Sequence, residues 1–296
     1  MILISGRKID WETLIKEIPA SSAGRDILKL LDTSANVYRY LSFNELKENI
    51  VIREHVMNAA RKLNASKASF SILRESKANS QYWSITAQGG MRLKQGALPS
   101  AAVTDIFENG ASYSFECATA MVIVYYYAAL QYLGVTAFDR YFNNLYLYSW
   151  ETDNDLDLKI TKEKEPIPGD IVYFVNPDNI EPQWQGENAV FLDNNHYYGH
   201  GMGILTKEKM MEELDKLGMS DAQNSYMIPD VVRPSFNHWI SLKNGNRSSN
   251  HHSKRLLIYE NIYHHNMTSI SFRYYLLLVA FIYTSDGKTT IYGDLD

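Results

Sequence analysis

The chemistry of this chain centres on one thiol, because Cys117 is the only cysteine among 296 residues. It lies in Ser114–Ala120 (SFECATA), ahead of an apolar, tyrosine-rich run that stops at Gly134. This pattern predicts a thiol in the first turn of a buried helix that ends at a glycine. The helix dipole and the unpaired amides of the first turn favour thiolate, so we expect a pKa lowered to roughly 3.5–7.5 and a usable nucleophile. The alternative is a small, buried structural residue, because free cysteine is often buried.

A nucleophilic cysteine needs a base, and two candidates lie on a predicted β-hairpin. These are Glu187 and His200. If the turn is Asp193-Asn194, the two side chains lie directly opposite each other, with their Cβ atoms roughly 4.5–5.5 Å apart. A turn at Asn194-Asn195 would break this alignment, because the register decides which residues face each other. The alternative is a Glu/His pair on the surface of a hairpin.

Further residues near the thiol or the hairpin suggest supporting roles. Glu116 adjoins Cys117 and is either a base or an electrostatic partner of the helix N-terminus; we favour the supporting role. Three aromatic residues, Phe70, Trp150 and Trp184, are predicted to form a groove that excludes water from an acyl-enzyme. The alternative for each aromatic residue is ordinary core packing.

The surrounding elements predict a mixed fold. A capping box at Ser42 and Glu45 opens a long helix, and Gly89-Gly90 divides a hairpin. Strands are predicted at Ile171–Val175, Asn188–Leu192 and His196–Leu205, followed by a helix that Thr206 caps. Because the helices alternate with strands that are mostly adjacent in sequence, the predicted class is α/β (α+β).

Composition limits the class of protein and its partners. The net charge of −5 argues against a nucleic-acid partner. A single cysteine forms no intrachain disulfide, and the N-terminus lacks the pattern of a signal peptide. The longest apolar run, Tyr274–Tyr283, is about half of the ~20 residues that a membrane span needs. We therefore expect a cytoplasmic protein with no membrane or nucleic-acid partner.

Two features resemble metal sites but lack essential ligands. Asp153–Asp157 starts like a calcium loop, but Leu158 and Lys164 stand where a glycine and a glutamate are needed. We therefore expect a solvated acidic loop there. The pairs His251-His252 and His264-His265 have no cysteine or carboxylate spaced to complete a structural site. No metal and no cofactor are predicted.

Three segments together resemble the protein-glutamine γ-glutamyltransferases of spore-forming bacilli. They are Ser114–Ala120, Trp184–Asn188 (WQGEN) and Gly199–Ile204 (GHGMGI), and they match in order and spacing. The resemblance runs from the N-terminus to about Ile240. It implies a catalytic domain over residues 1–242, whereas the polar stretch from Lys243 opens an extension over residues 243–296 that departs from the family pattern.

The resemblance also implies a fold, a site and a role. The fold would be a compact papain-like core with a central, mostly antiparallel sheet flanked by helices. Cys117 would be the nucleophile and Glu187 its partner, with Glu116 and His200 assisting. The implied activity is calcium-independent cross-linking of protein glutamine and lysine side chains through a thioester, by a monomer that acts on spore coat proteins in the mother cell.

Two other functions remain open on the sequence. One is a papain-like hydrolase or peptidase, in which Cys117 and His200 form a dyad and water is the acyl acceptor. The other is a non-catalytic coat protein with an unreactive, buried cysteine.

Overall fold

The computed structural model describes residues 1–179, 184–217 and 224–247, which form eight α-helices and fifteen β-strands. The helices are α1 (Trp11–Glu17), α2 (Ser22–Thr33), α3 (Phe43–Ala65), α4 (Pro99–Glu108), α5 (Cys117–Leu133), α6 (Val135–Tyr141), α7 (Lys207–Leu217) and α8 (Phe236–Lys243). The strands are β1 (Ile2–Ile4), β2 (Arg7–Lys8), β3 (Tyr38–Tyr40), β4 (Ser69–Phe70), β5 (Trp83–Ile85), β6 (Met91–Leu93), β7 (Ser114–Phe115), β8 (Tyr146–Leu147), β9 (Leu158–Lys162), β10 (Ile171–Val175), β11 (Gly186–Asp193), β12 (His196–Gly199), β13 (Gly203–Thr206), β14 (Tyr226–Met227) and β15 (Asp230–Pro234).

A seven-stranded antiparallel sheet forms the centre of the described fold. Its strand order is β13-β12-β11-β10-β15-β9, and β14 also pairs with β10. Smaller sheets join β2, β1 and β3, and β5, β6 and β8, while β4 and β7 form a parallel pair. The predicted mixed α/β class with a mostly antiparallel central sheet is confirmed.

Both faces of the central sheet are covered by helices. On β11, Val190 and Leu192 belong to the larger core that also contains α3 and α5. Ala189 and Phe191 belong to a second core with Met210 of α7. Because successive side chains of a strand point to opposite faces, a strand that is apolar at consecutive positions lies between two layers. Strand β11 therefore has α5 on one side and α7 on the other.

Helix α5 begins and ends where the sequence predicts. Glu116 is its N-cap residue, and Gly134 follows its last residue with a φ of 80°. Residues Cys117–Leu130 are all buried, as is expected of a helix that is apolar around its whole circumference. Burying each large aliphatic or aromatic side chain contributes about 1.5–3 kcal/mol, so α5 anchors the core as well as carrying the thiol.

The hairpin differs from its prediction in two ways. Asn194 and Asn195 both have positive φ, so they form the turn. A β-bulge between Phe191 and Asp193 shifts the register by one residue, so Ala189 pairs with Gly199, and Glu187 and His200 are not directly opposite each other. The predicted strand His196–Leu205 is also interrupted, because the chain turns between β12 and β13, where Gly201 has a φ of 104°.

The acidic loop is another correction. Asp155 is fully buried and pairs with Arg247 and with His238, so it does not lie in a solvated loop. Loss of hydration at a buried carboxylate is offset when opposite charges and hydrogen bonds surround it.

Several sequence predictions fall elsewhere in the chain. Ser42 does cap α3, since its side-chain oxygen accepts a hydrogen bond from the backbone N–H of Glu45 at 3.1 Å. Most of the extension over residues 243–296, including the apolar run Tyr274–Tyr283 and the two histidine pairs, lies outside the described residues. In the described part of the chain, no helix has the length and apolar character that a membrane crossing requires.

Candidate active site

Glu116 holds the start of the cysteine helix. Its carboxylate accepts hydrogen bonds from the backbone N–H groups of Ala118 at 2.6 Å and Thr119 at 2.7 Å. The Thr119 hydroxyl donates a third bond at 2.7 Å. Burial raises the pKa of Glu116 in spite of these bonds. Since both carboxylate oxygens bind the first turn, the geometry favours a supporting role over that of a base.

The thiol lies beneath β11 and contacts a residue that sequence analysis did not single out. The side-chain Nδ2 of Asn188 donates to Sγ of Cys117 at 3.3 Å, and both residues are buried. The backbone N–H of Asn188 also hydrogen-bonds to the sulfur. The signal in the sequence is that Asn188 directly precedes the apolar run Ala189–Leu192, since a polar side chain that becomes buried beside such a strand requires a partner.

Glu187 is the carboxyl group that faces the thiol. It is buried on β11 opposite Phe174, and it hydrogen-bonds to the Cys117 thiol and to the backbone N–H of His200. Its Oε1 has no hydrogen-bond partner within the described part of the chain. Gly199 provides the space, since a Cβ atom there would lie 2.8 Å from this oxygen. The free oxygen is therefore available to an incoming proton donor.

The prediction of a resting thiolate is wrong. Burial raises the pKa of Cys117 well above its ordinary value, and the charges of Glu187 and Glu116 raise it further. Burial also raises the pKa of Glu187, with an added contribution from Glu116. These effects outweigh the helix dipole, which acts on the thiol alone. The resting thiol therefore keeps its proton, and Glu187 is the carboxyl group within hydrogen-bond reach of it.

His200 has a different environment from the one predicted. Its Nδ1 lies 3.1 Å from the Tyr198 hydroxyl, and its Nε2 lies 3.1 Å from the backbone oxygen of Ser69. Its ring stacks on Phe115 with centroids 4.7 Å apart. Burial lowers the pKa of His200 to about 4, so the imidazole is neutral near pH 7. Both ring nitrogens are thus occupied by groups other than the thiol.

The three predicted aromatic residues are not together. Phe70 and Trp184 are both partly exposed, and their ring centroids lie 5.6 Å apart. The ring of Phe70 also lies 6.5 Å from that of His200. Trp150 is instead buried in the larger core, and the backbone N–H of Ser149 before it donates to the Thr119 hydroxyl oxygen. The structure therefore places Phe70 and Trp184 as one wall and Trp150 behind the helix start.

Within the described ranges, no group of three or more His, Cys, Asp or Glu residues is arranged to hold a metal ion. The candidate site thus consists of a protonated thiol, a carboxyl group with a raised pKa and two amide donors. Such a site is suited to acyl transfer, in which a thiol attacks a carbonyl carbon and a neighbouring acid–base group moves the protons. The fold and the thiol–carboxyl pair together fit the class of acyl-transferring enzymes.

Comparison with known proteins agrees with this class. The sequence profile described as "Protein-glutamine gamma-glutamyltransferase" matches residues 1–243. A protein of that name from Halalkalibacterium halodurans is 36% identical over 295 residues, which cover 94% of this chain and 97% of the relative. One from Bacillus licheniformis is 40% identical over 236 residues, covering 79% and 96%. The chain therefore belongs to the protein-glutamine γ-glutamyltransferase family.

A solved structure is also similar. It is a transglutaminase from Geobacillus stearothermophilus without its C-terminal extension, with a TM-score of 0.64 and 40% identity. The match covers 69% of this chain and 98% of that structure. The predicted family and the prediction of an enzyme are confirmed. The 94% coverage by the Halalkalibacterium relative also extends past residue 243, so one relative shares sequence in the region expected to depart from the family pattern.

Proposed function

We propose that this protein is a calcium-independent transglutaminase that forms ε-(γ-glutamyl)lysine bonds between protein side chains through a thioester on Cys117. The observation that carries the proposal is the burial of this thiol against both Glu187 and Asn188 at the start of α5. The family supplies the coarse activity, while the thioester and the residue roles are inferred from this geometry.

Acylation begins with proton transfer from the thiol to Glu187. The resulting thiolate attacks the γ-carboxamide carbon of a protein glutamine, and the carbonyl oxygen becomes an oxyanion. Protonated Glu187 then gives its proton to the leaving nitrogen, and ammonia departs as the thioester forms. A carboxyl group whose pKa is raised by burial is suited to this exchange, because it is a stronger base than an ordinary glutamate and can return the proton it has accepted.

Deacylation uses the same carboxyl group in the opposite order. A lysine ε-amine attacks the thioester and loses a proton to Glu187. The isopeptide bond forms as the C–S bond breaks, and Glu187 returns the proton to the departing sulfur. Water would give glutamate in place of the cross-link, so the aromatic wall of Phe70 and Trp184 supports transfer by limiting the access of water.

The oxyanion requires donors near the helix start. The N–H groups of Ala118 and Thr119 are used by Glu116, and that of Ala120 bonds to the Glu116 carbonyl. The backbone N–H of Cys117 is the first-turn amide that none of these bonds uses. It is our candidate donor for the oxyanion.

The proposal also covers the substrates, the cellular location and the domain organisation of the protein. The resemblance to enzymes of spore-forming bacilli supports spore coat proteins as substrates and the mother-cell cytoplasm as the location. We further propose that residues 1–242 form the catalytic unit, that the chain acts as a monomer and that residues 243–296 are an extension. The family profile, which matches residues 1–243, supports that boundary.

Incorporation of a dansyl-labelled alkyl amine into β-casein tests the activity. The full chain would be assayed with excess EDTA, beside Cys117→Ala and the near-isosteric Cys117→Ser. We expect labelled casein with the unaltered chain and a background signal with both variants. Thermal unfolding curves should show that both variants are folded.

Three other outcomes would contradict parts of the proposal. Label that appears only when calcium is added would overturn calcium independence. Ammonia release without label would indicate a hydrolase that uses water as the acceptor. Label that persists in Cys117→Ala would remove the thioester mechanism, since the chain has no second cysteine.

A further inference from the structure

Asn188 makes the polar side-chain contact with the nucleophilic sulfur. Its Nδ2 lies 3.3 Å from Sγ of Cys117, and its side chain is buried on the β11 face that carries Val190 and Leu192 into the same core as α5. Strand β11 has neighbours on both sides, β10 and β12, which fix its position beneath the helix. The amide is therefore held against the sulfur by rigid elements and not by a loop.

The electrostatic surroundings of the sulfur make this contact significant. The charged groups that act on the thiol are Glu187 from β11 and Glu116 from the helix start, and both are negative when ionised. His200, beyond the ring of Phe115, is neutral near pH 7. In cysteine enzymes with a histidine partner, an imidazolium stabilises the thiolate. Within the described residues, the sulfur is contacted by the side-chain and backbone amides of Asn188 in place of an imidazolium.

We propose that Asn188 is a catalytic residue whose side-chain amide stabilises the Cys117 thiolate, in place of a cationic partner. This proposal rests on the proposed function, since it assumes that Cys117 is the nucleophile. When Glu187 takes the thiol proton, negative charge develops on sulfur while the Nδ2–H group of Asn188 points at it. Hydrogen bonds to an ionised partner are roughly twice as strong as those between neutral groups, so the contact strengthens as the thiolate forms.

The same contact acts twice in each turnover. The thiolate is the nucleophile in acylation and the leaving group in deacylation, so a donor that stabilises it lowers the barrier on both sides of the thioester. No covalent bond to Asn188 forms or breaks. Glu187 holds the proton until it passes to the leaving nitrogen in acylation or to the departing sulfur in deacylation. Loss of the amide is therefore expected to lower kcat with little change in the KM for the glutamine substrate.

The rate of alkylation by iodoacetamide as a function of pH tests this directly, because the chain has one thiol to modify. In Asn188→Ala we expect the midpoint of the profile to rise by about one pH unit, a tenfold change in the thiolate fraction. The kcat for amine incorporation should fall about 10- to 100-fold, less than the ~10²–10³ of an oxyanion-hole donor, since the Asn188 backbone amide remains.

Two variants separate this role from a structural one. Asn188→Leu keeps the shape and adds no charge but lacks the donor, so its midpoint should rise as in Asn188→Ala. Asn176→Ala is the matched control: Asn176 is fully buried directly after β10 and donates to the Leu214 carbonyl at 3.2 Å. It should lower the unfolding temperature and leave the alkylation midpoint unchanged.

The outcomes distinguish this inference from the function on which it rests. If neither Asn188 variant moves the midpoint while Cys117→Ala is inactive, the role of Asn188 is overturned and the transglutaminase proposal stands. If Cys117→Ala retains activity, both proposals fail. If Asn188→Ala does not fold, the midpoint of Asn188→Leu decides, and an unchanged midpoint overturns the role of Asn188.

Discussion

Two buried clusters of ionisable groups on the central sheet have opposite designs. In the first, Arg53 bonds to Asp170 at 2.9 Å and to the Pro168 carbonyl at 2.8 Å, and Arg233 pairs with Asp170 and with Glu163. In the second, the carboxyl groups of Glu187 and Glu116 flank one thiol, without a cation among their contacts in the described residues. The first cluster compensates each charge, and the second does not.

The difference separates buried charges that stabilise the fold from buried carboxyl groups that serve the proposed mechanism. A buried ion pair remains charged because its partner replaces part of the lost hydration. When carboxyl groups are buried together, desolvation and mutual repulsion disfavour their ionised forms, so the pKa of each is raised. The first arrangement contributes to the fold by fixing α3 against β10 and β15, whereas the second supplies the proton exchange of the proposed mechanism.

Removing the carboxyl group of Glu187 should have the largest effect on activity. In Glu187→Gln we expect the rate of amine incorporation to fall by about 10²–10⁴, since the thiol loses its proton acceptor. The free energy of unfolding should not fall. Burial raises the folded-state pKa of Glu187, so ionisation destabilises the native wild type above the unfolded value of 4.5, and the variant should gain relative stability as pH rises from there.

Urea unfolding at several pH values, together with the casein assay, checks both parts. A loss of activity that is matched by an equal loss of stability would show that Glu187 belongs to the structural kind of cluster, and the contrast would be lost.

Breaking the compensated cluster should have the opposite signature. Asp170→Asn leaves Arg53 and Arg233 facing each other without their shared carboxylate, so we expect the free energy of unfolding to fall by about 3–5 kcal/mol. The activity of the folded fraction should change less than twofold, a value well below the ~10²-fold or larger effects of removing an acid–base group.

The matched control is Asp193→Asn, which breaks the half-exposed pair with Arg61 and should cost less than about 1 kcal/mol. Equal destabilisation by the two variants in urea would remove the distinction between a buried and an exposed pair.

The smallest effect is expected for His200, whose side chain lies beside the cluster of Glu187, Glu116 and Cys117 without bonding to the thiol. Its folded-state pKa is about 4, below its ordinary value of 6.5. The unfolded chain therefore binds more protons between these values, and stability that is present above pH 6.5 is lost as the pH falls toward 4, by up to about 3 kcal/mol. His200→Gln should remove this slope from the difference between the two unfolding profiles.

Activity provides the second readout for the same variant. We expect His200→Gln to lose less activity than Glu187→Gln, because both imidazole nitrogens bond to Tyr198 and Ser69. An equal loss in the two variants would instead favour a Cys/His dyad.

The parts of the site that sequence predicted are those set by local pattern. The start and end of α5 follow from Glu116, Cys117 and Gly134, since a capping carboxylate and a terminal glycine act over a few residues. The class of fold follows from the periodicity of helices and strands. The resemblance of three short segments was enough to identify the family, because these segments form one site.

The parts that sequence missed depend on packing. Whether Asn194 begins or ends the turn is decided by which two residues adopt positive φ, and either choice suits a polar pair. The pKa of Cys117 was predicted from its helix, but the direction is set by burial and by a carboxylate seventy residues away in sequence. Trp150 and Trp184 look alike in the sequence, yet one lies in the core and the other near the surface.

The continuous burial of α5 links catalysis to the lifetime of the native state. Each residue from Cys117 to Leu130 is enclosed, so backbone amides in the middle of this helix are exposed to hydrogen exchange through global unfolding and not through local fraying. Cys117, the nucleophile of the proposed mechanism, is the first residue of the same helix. Heat inactivation and loss of the native fold are therefore one event, and the half-life of activity at high temperature measures the rate of unfolding.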